Sequence, residues 1–253
     1  MKLQDRARFS ESILYPTLLV IIMWLVKGFE AITGEHLTQF GILPLRAEGL
    51  IGIITAPFIH GSVAHLFANS IPLWVLGSLL FYVYRPVAVR VFVLIWIITG
   101  IWVWFWGREA YHIGASGVVY GLASFLFFSG VFRRDGRTLA ITFLVAFLYG
   151  SMVWGILPEM FPEKNISWES HLMGLIAGIV LALFYKNQGP TPARYKWEED
   201  PELESIDEND PEAYWNKPVT KAPPTPSTPP PPAEPLQINY VYKENPKEGE
   251  ENH

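Results

Sequence analysis

The 253-residue chain has no cysteine, and only 17% of its residues carry charge. The first absence excludes disulfides, thiolate metal sites and cysteine nucleophiles. The second removes the surface of an ordinary soluble domain, because half of the residues are hydrophobic, with 10 Trp and 16 Phe. Charge is missing altogether from six stretches, 12–26, 63–84, 91–107, 113–132, 138–158 and 170–185. Each comes close to the roughly 17–25 residues that a helix needs to cross a bilayer. The first and last are short and lean on their flanks, Lys27 by snorkelling and Trp168 by lying at the interface. No small-residue cleavage site follows the first stretch, so it is expected to be retained rather than removed as a signal peptide.

What charge there is divides unevenly. Residues 1–186 hold 13 Lys or Arg against 10 Asp or Glu, whereas residues 187–253 hold 6 against 14. One set of flanks carries Lys2, Arg6, Arg8, Arg85, Arg90, Arg133, Arg134, Arg137, Lys186, Arg194 and Lys196. The alternate loops carry only Lys27, Arg46, Arg108 and Lys164. Basic residues are retained inside, so both termini are expected in the cytoplasm. The expected fold class is an all-α membrane protein, a bundle of six transmembrane helices with a long outer first loop. Its expected parts are a cytoplasmic N-terminus over 1–11, a membrane domain over 12–186 and a tail over 187–253. The tail is acidic and then proline-rich ("KAPPTPSTPPPPAEP"), a composition that does not bury enough apolar surface to fold. Its proline run is a candidate docking site for a cytoplasmic partner, weighed against a plain linker. The lipid bilayer is the expected surround, and no nucleic-acid partner, metal or cofactor is expected.

Polar groups within such spans are costly and are therefore functional candidates. In "HGSVAHLFAN", His65 and Asn69 lie four apart and share one helix face, with His60 a further five residues back. In "GASG", Ser116 sits among Gly114, Ala115 and Gly117, with Tyr120 one turn on. In "HLMGLIAG", His171 is followed by Gly174 and Gly178. Each has a plainer reading: a serine that bonds back to its own helix, an interfacial histidine, an asparagine or glycine pair that packs helices. Together they favour chemistry, because all lie near the outer ends of the second, fourth and sixth spans. Close packing through Gly174 and Gly178 would bring His171 to Ser116 as the base that a serine nucleophile requires. His65, Asn69 and the Ser116 amide would supply donors for a developing oxyanion. Tyr120 would hold the imidazole by stacking. No carboxylate in these spans is placed to orient His171, so the pair would be a dyad.

These residues resemble the rhomboid family of intramembrane serine proteases, over about residues 10–186. "HGSVAHLFAN" is similar to the family's His-x4-His-x3-Asn pattern, "GASG" to its Gly-x-Ser-Gly motif and "HLMGLIAG" to its His-x2-Gly-x3-Gly helix. The resemblance implies Ser116 as nucleophile, His171 as general base and acid, and His65, Asn69 and the Ser116 amide as oxyanion hole. It implies a structural role for His60 and a supporting one for Tyr120, with transmembrane proteins as substrates. Many rhomboids carry a Trp-Arg pair shortly before the stretch that "TAPFIH" resembles, and here Ile51 and Gly52 stand in its place. A water-accessible cavity opening outward is expected, with the outer loop before Ile113 and the segment 155–169 as gates. A non-proteolytic rhomboid-like escort is the alternative, although such relatives generally lose the Ser or His that this chain retains. A solute pathway would continue polar residues inward, where the spans instead read "LGSLLFYVY" and "IVLALFY".

Overall fold

The computed structural model describes residues 3–157 and 167–190. The expected tail beyond 190, and the part of the expected gate at 158–166, lie outside the described residues. Within them, the apolar stretches form α1 (Leu3–Thr33), α3 (Val63–Val83), α4 (Ala88–Trp106), α5 (Ser116–Arg133), α6 (Gly136–Tyr149) and α7 (Trp168–Phe184), with a one-turn α2 (Gly52–Thr55) in the first long loop. Four of these helices are long and apolar enough to cross a membrane: Arg8–Thr33 of α1, then α3, α4 and α5. The fifth and sixth expected spans are shorter. The 17 residues of α7 rise about 25 Å at 1.5 Å per residue, less than a full bilayer core.

Two boundaries move for identifiable reasons. The fourth stretch is extended rather than helical at 112–114, because Ile42 and His112 exchange backbone hydrogen bonds (2.9 and 2.8 Å) and the Gly114 amide donates to the Ala56 carbonyl at 2.9 Å. The fifth is helical only to Tyr149 and then tightens into a 3-10 turn over Gly150–Ile156. Side chains from other helices take the Met152 and Gly155 carbonyls in that turn.

Helix α5 is the centre of the bundle. Two-thirds of its apolar stretch (67%) is buried inside the protein, against 17% for α1. It packs along much of its length on α7, with α3, α4 and α6 around it. Leu66, Leu76, Ile95, Leu122, Phe125 and Leu126 are fully enclosed in the core between them. Lipid offers no hydrophobic drive between helices, so close approach and interhelical hydrogen bonds hold such pairs. Helix α1 follows that rule: Pro16 fits against Gly77 of α3, Trp24 donates to Ser70 Oγ (3.1 Å) and Trp74 donates to Thr17 Oγ1 (2.9 Å).

The first long loop is fastened to α4 and to the segment before α5. Trp96 Nε1 donates to the Ile53 carbonyl at 2.9 Å, and Trp104 Nε1 to the Arg46 carbonyl at 3.0 Å. Packing accounts for the second position of the missing Trp-Arg pair, Gly52. A β-carbon there would overlap the backbone of Gly41 and Ile42, so no side chain fits. Ile51 beside it is exposed, as are Leu45, Leu50 and Ile54.

Candidate active site

The N-terminal ends of α3, α5 and α7 meet around Gly114. This residue has φ of +104°, a conformation that suits glycine, and it lies against α3. A β-carbon on it would lie 2.8 Å from His65 Cε1, 3.0 Å from His65 Nε2 and 3.4 Å from Asn69 Nδ2. Ser62 caps α3 by accepting the His65 amide at 3.1 Å, which fixes the turn from which His65 and Asn69 project. Asn69 is buried, and its Nδ2 has no hydrogen-bond partner among the described residues.

Two residues beyond Gly114 the helix α5 begins with Ser116, buried at 8% exposure. Its N-cap is Ala115, which has no side-chain acceptor to offer. The first amides of a helix lack intrahelical partners, so the Ser116, Gly117 and Val118 N–H groups stand as uncapped donors at this end. A cavity of about 20 Å³, lined in part by Thr99, His112, Gly114, Gly117 and Ser170, adjoins the turn. That is room for about one water molecule.

His171 occupies the first turn of α7 and is held on two sides. Its Nδ1 lies 2.8 Å from the Gly155 carbonyl. A carbonyl only accepts, so Nδ1 carries the proton and the neutral ring keeps its lone pair at Nε2. Tyr120 stacks on the imidazole with ring centroids 4.2 Å apart and planes 8° from parallel, while its hydroxyl donates to the Met152 carbonyl at 2.6 Å. The 3-10 turn thus secures both rings.

Glycine decides how near α7 comes to α5. A β-carbon at Gly174 would overlap the Gly117 carbonyl, and one at Gly178 would overlap Ser124 Oγ and the Gly121 carbonyl. Gly174 lies one turn beyond His171 on the same face, and Gly117 directly follows Ser116. Gly117 itself sits between α4 and α7, its β-carbon position 2.8 Å from Thr99 Cγ2 and 3.0 Å from the Ser170 carbonyl. Backbone contact at this level places the two residues at neighbouring helix ends, and no hydrogen bond joins them among the described residues.

His60 stands apart from Ser116. It is fully buried, its ring lies edge-to-face on His65 (centroids 5.1 Å, planes 69°), and its carbonyl accepts from Lys27 Nζ at 2.9 Å. Burial pulls its pKa down to about 4, and the neighbouring His65 adds to the effect.

His112, two residues before Gly114, lies beside the site. It is buried at 2% exposure, and burial lowers its pKa. Its Nδ1 lies 2.6 Å from Ser167 Oγ and its Nε2 3.0 Å from the Arg108 carbonyl. Arg108 Nη1 in turn reaches both carboxylate oxygens of Glu169 at 2.9 Å. The readable signal was the opposite charge of Arg108 and Glu169, in segments bordering the same end of the bundle.

Comparison with known proteins points to one family. The Rhomboid domain family matches residues 47–188. An uncharacterized protein of Mycobacterium tuberculosis (strain ATCC 25618 / H37Rv) is 37% identical over 169 residues, covering 64% of this chain and 70% of the relative. One of Mycobacterium leprae (strain TN) is 35% identical over 167 residues, covering 64% and 66%. A rhomboid protease, GlpG, of Pectobacterium atrosepticum is 26% identical over 185 residues, covering 72% of this chain and 64% of its own length. The matched segment runs from the loop that frames Gly52 to the end of α7, and on that match the chain, an integral membrane protein, belongs to the rhomboid family.

Proposed function

We propose that this protein is an intramembrane serine endopeptidase, with Ser116 as nucleophile and His171 as general base and acid. The observation that carries the proposal is the His171 ring. Its Nδ1 is bonded to the Gly155 carbonyl and its face is stacked on Tyr120, which keeps the basic Nε2 free at the helix end beside Ser116. A hydrogen bond between nucleophile and base commonly tightens only when substrate binds. Attack of Ser116 Oγ on a peptide carbonyl forms an acyl-enzyme, with the proton passing to His171 and then to the leaving amine. Water, deprotonated by the same ring, releases the acyl group. The oxyanion would be met by the Ser116 amide, the unspent Asn69 Nδ2 and His65, all disposed about the Gly114 turn. Each such donor contributes about 2.7–4 kcal/mol to transition-state stabilisation.

The substrates would be transmembrane segments of other proteins. A peptide bond in a lipid-embedded helix is closed off by its own hydrogen bonds, so segments that unwind readily, with Gly, Ala, Ser or Pro near the scissile bond, are favoured. The bias of basic residues supports six spans in a bacterial inner membrane with both termini cytoplasmic, and cleavage on the opposite side. The test uses purified protein in detergent with a labelled single-span substrate. Cleavage is expected from the wild type and is lost by more than about a thousandfold in Ser116→Ala and His171→Ala. Equal cleavage by all three would sink the mechanism.

A further inference from the structure

One polar chain lies outside the groups assigned above. Arg108, at the end of the α4 segment, holds the Glu169 carboxylate through Nη1 at 2.9 Å from each oxygen, and the Glu169 side chain is only 3% exposed while that of Arg108 is 44% exposed. The Arg108 carbonyl accepts from His112 Nε2 at 3.0 Å. That bond fixes the tautomer, so His112 Nδ1 accepts from the Ser167 hydroxyl at 2.6 Å. Ser167 Oγ accepts in turn from the Ser170 hydroxyl at 2.6 Å and from the Ser170 amide at 3.4 Å, which caps α7. Both branches end within four residues of His171, one at Glu169 and one at Ser167 and Ser170. Both start from the segment that leads into Ser116, where His112 is also tied to Ile42.

We infer that Arg108, His112, Ser167 and Glu169 form a clamp that sets the position of His171 relative to Ser116, making them positioning residues for the proposed reaction. The physical reason lies in how α7 begins. Glycine-mediated backbone packing on α5 comes at Gly174 and Gly178, beyond the first turn, where the Ser170 carbonyl beside Gly117 and the His171 ring on Tyr120 make the contacts; the start of the helix therefore depends on side-chain ties to hold it against fraying. A buried carboxylate held at both oxygens and a cap whose acceptor is itself anchored supply those ties. Glu169 also lies in the first turn, where the helix dipole favours negative charge. The loop before Ser116 and the helix bearing His171 then move as one piece.

The inference rests on the serine protease reading, and the experiment separates the two. Full-length protein in detergent is assayed for kcat and KM on a labelled single-span substrate, and for the rate at which a fluorophosphonate labels Ser116. The set comprises wild type, Ser116→Ala, Glu169→Gln, Arg108→Lys, Ser167→Ala and Arg108→Gln combined with Glu169→Gln. Glu169→Gln is expected to lower kcat on the order of 10- to 100-fold, as small misplacements of a reacting group do, with KM within about twofold and the labelling rate falling in parallel. Arg108→Lys should be intermediate, because it keeps the charge on a flexible stem without the planar, pre-organised guanidinium. The double variant should be no worse than Glu169→Gln alone. Cleavage absent from the wild type, or retained in Ser116→Ala, counts against the protease reading. Ser116-dependent cleavage with wild-type kcat and labelling in Glu169→Gln overturns the clamp alone. If Glu169→Gln does not fold, Ser167→Ala, which strands no charge, decides: a kcat within about twofold of wild type overturns the clamp.

Discussion

At the scale of single residues, the proposed chemistry would draw on buried polar groups near the Gly114 turn. Asn69 Nδ2 has no partner among the described residues, and the first amides of α5 have no side-chain cap; a buried donor left unsatisfied costs about 1–3 kcal/mol. In the proposed reaction an incoming oxyanion would recover that cost. His60 shows the opposite use of burial. A fall in its pKa from 6.5 to about 4 corresponds to about 3 kcal/mol. The sign follows from linkage: the unfolded chain takes up the proton first, so stability is complete above about pH 6.5 and declines as pH falls towards about 4. The thermal unfolding midpoint in detergent should therefore hold level from about pH 8 to 6.5 and then drop, with a shallower drop in His60→Gln. A midpoint that stays flat to about pH 4.5 contradicts this account.

At the scale of helices, the pairing of α5 with α7 is a backbone-to-backbone contact, and in lipid that contact must itself provide the attraction. At Gly174 and Gly178 the obstacles to a methyl group are the Gly117 and Gly121 carbonyls, which do not move without moving α5. Gly174→Ala is expected to lower stability by about 1–3 kcal/mol or more, as overpacking does, and to reduce cleavage by displacing His171. Gly28 lies within α1 with nothing inside 4 Å of its β-carbon position. Gly28→Ala should leave the midpoint unchanged or raise it by up to about 1 kcal/mol of stability. Thermal denaturation of the two variants side by side checks the contrast, and equal midpoints would remove packing as the role of Gly174.

At the scale of the whole molecule, the described chain closes on itself at the end opposite the site. Arg133, at the end of α5, donates through Nη1 to the Lys186 carbonyl at 2.7 Å and through Nη2 to the Pro190 carbonyl. Arg85, just beyond α3, pairs with Glu11 of α1. The residues needed for the proposed reaction and for these closures all precede 191. A chain ending after Pro190 is expected to keep the thermal midpoint and to cleave within about twofold of the full chain, since none of the contacts named above is lost and changes outside such contacts rarely exceed about 0.5 kcal/mol. Truncation after Tyr185, which removes both Arg133 acceptors, should lower the midpoint. Loss of cleavage on removal of 191–253 would assign the acidic, proline-rich segment a direct part in the reaction.

Composition, charge-free stretches and three short motifs were enough to make this an all-helical membrane protein and to single out Ser116, His171, His65, Asn69, Tyr120 and the glycine pairs, because membrane burial makes every polar group conspicuous. The start of α5 at Ser116 rather than 113 was not legible. It depends on hydrogen bonds from Ile42 and Ala56, more than 50 residues away. Nor was the orientation of His171 legible, because its partner is a backbone carbonyl, and every residue has one. The burial of His112 was not legible for a related reason, since a histidine next to an outer loop reads as facing that loop and without a catalytic role. Sequence alone determined that apolar helices make up most of residues 12–185 and which few polar groups interrupt them, since both are matters of residue chemistry. Only the tertiary structure decided which of them face one another, because hydrogen bonds to distant backbone and the approach of helix to helix depend on where the whole chain places its carbonyls.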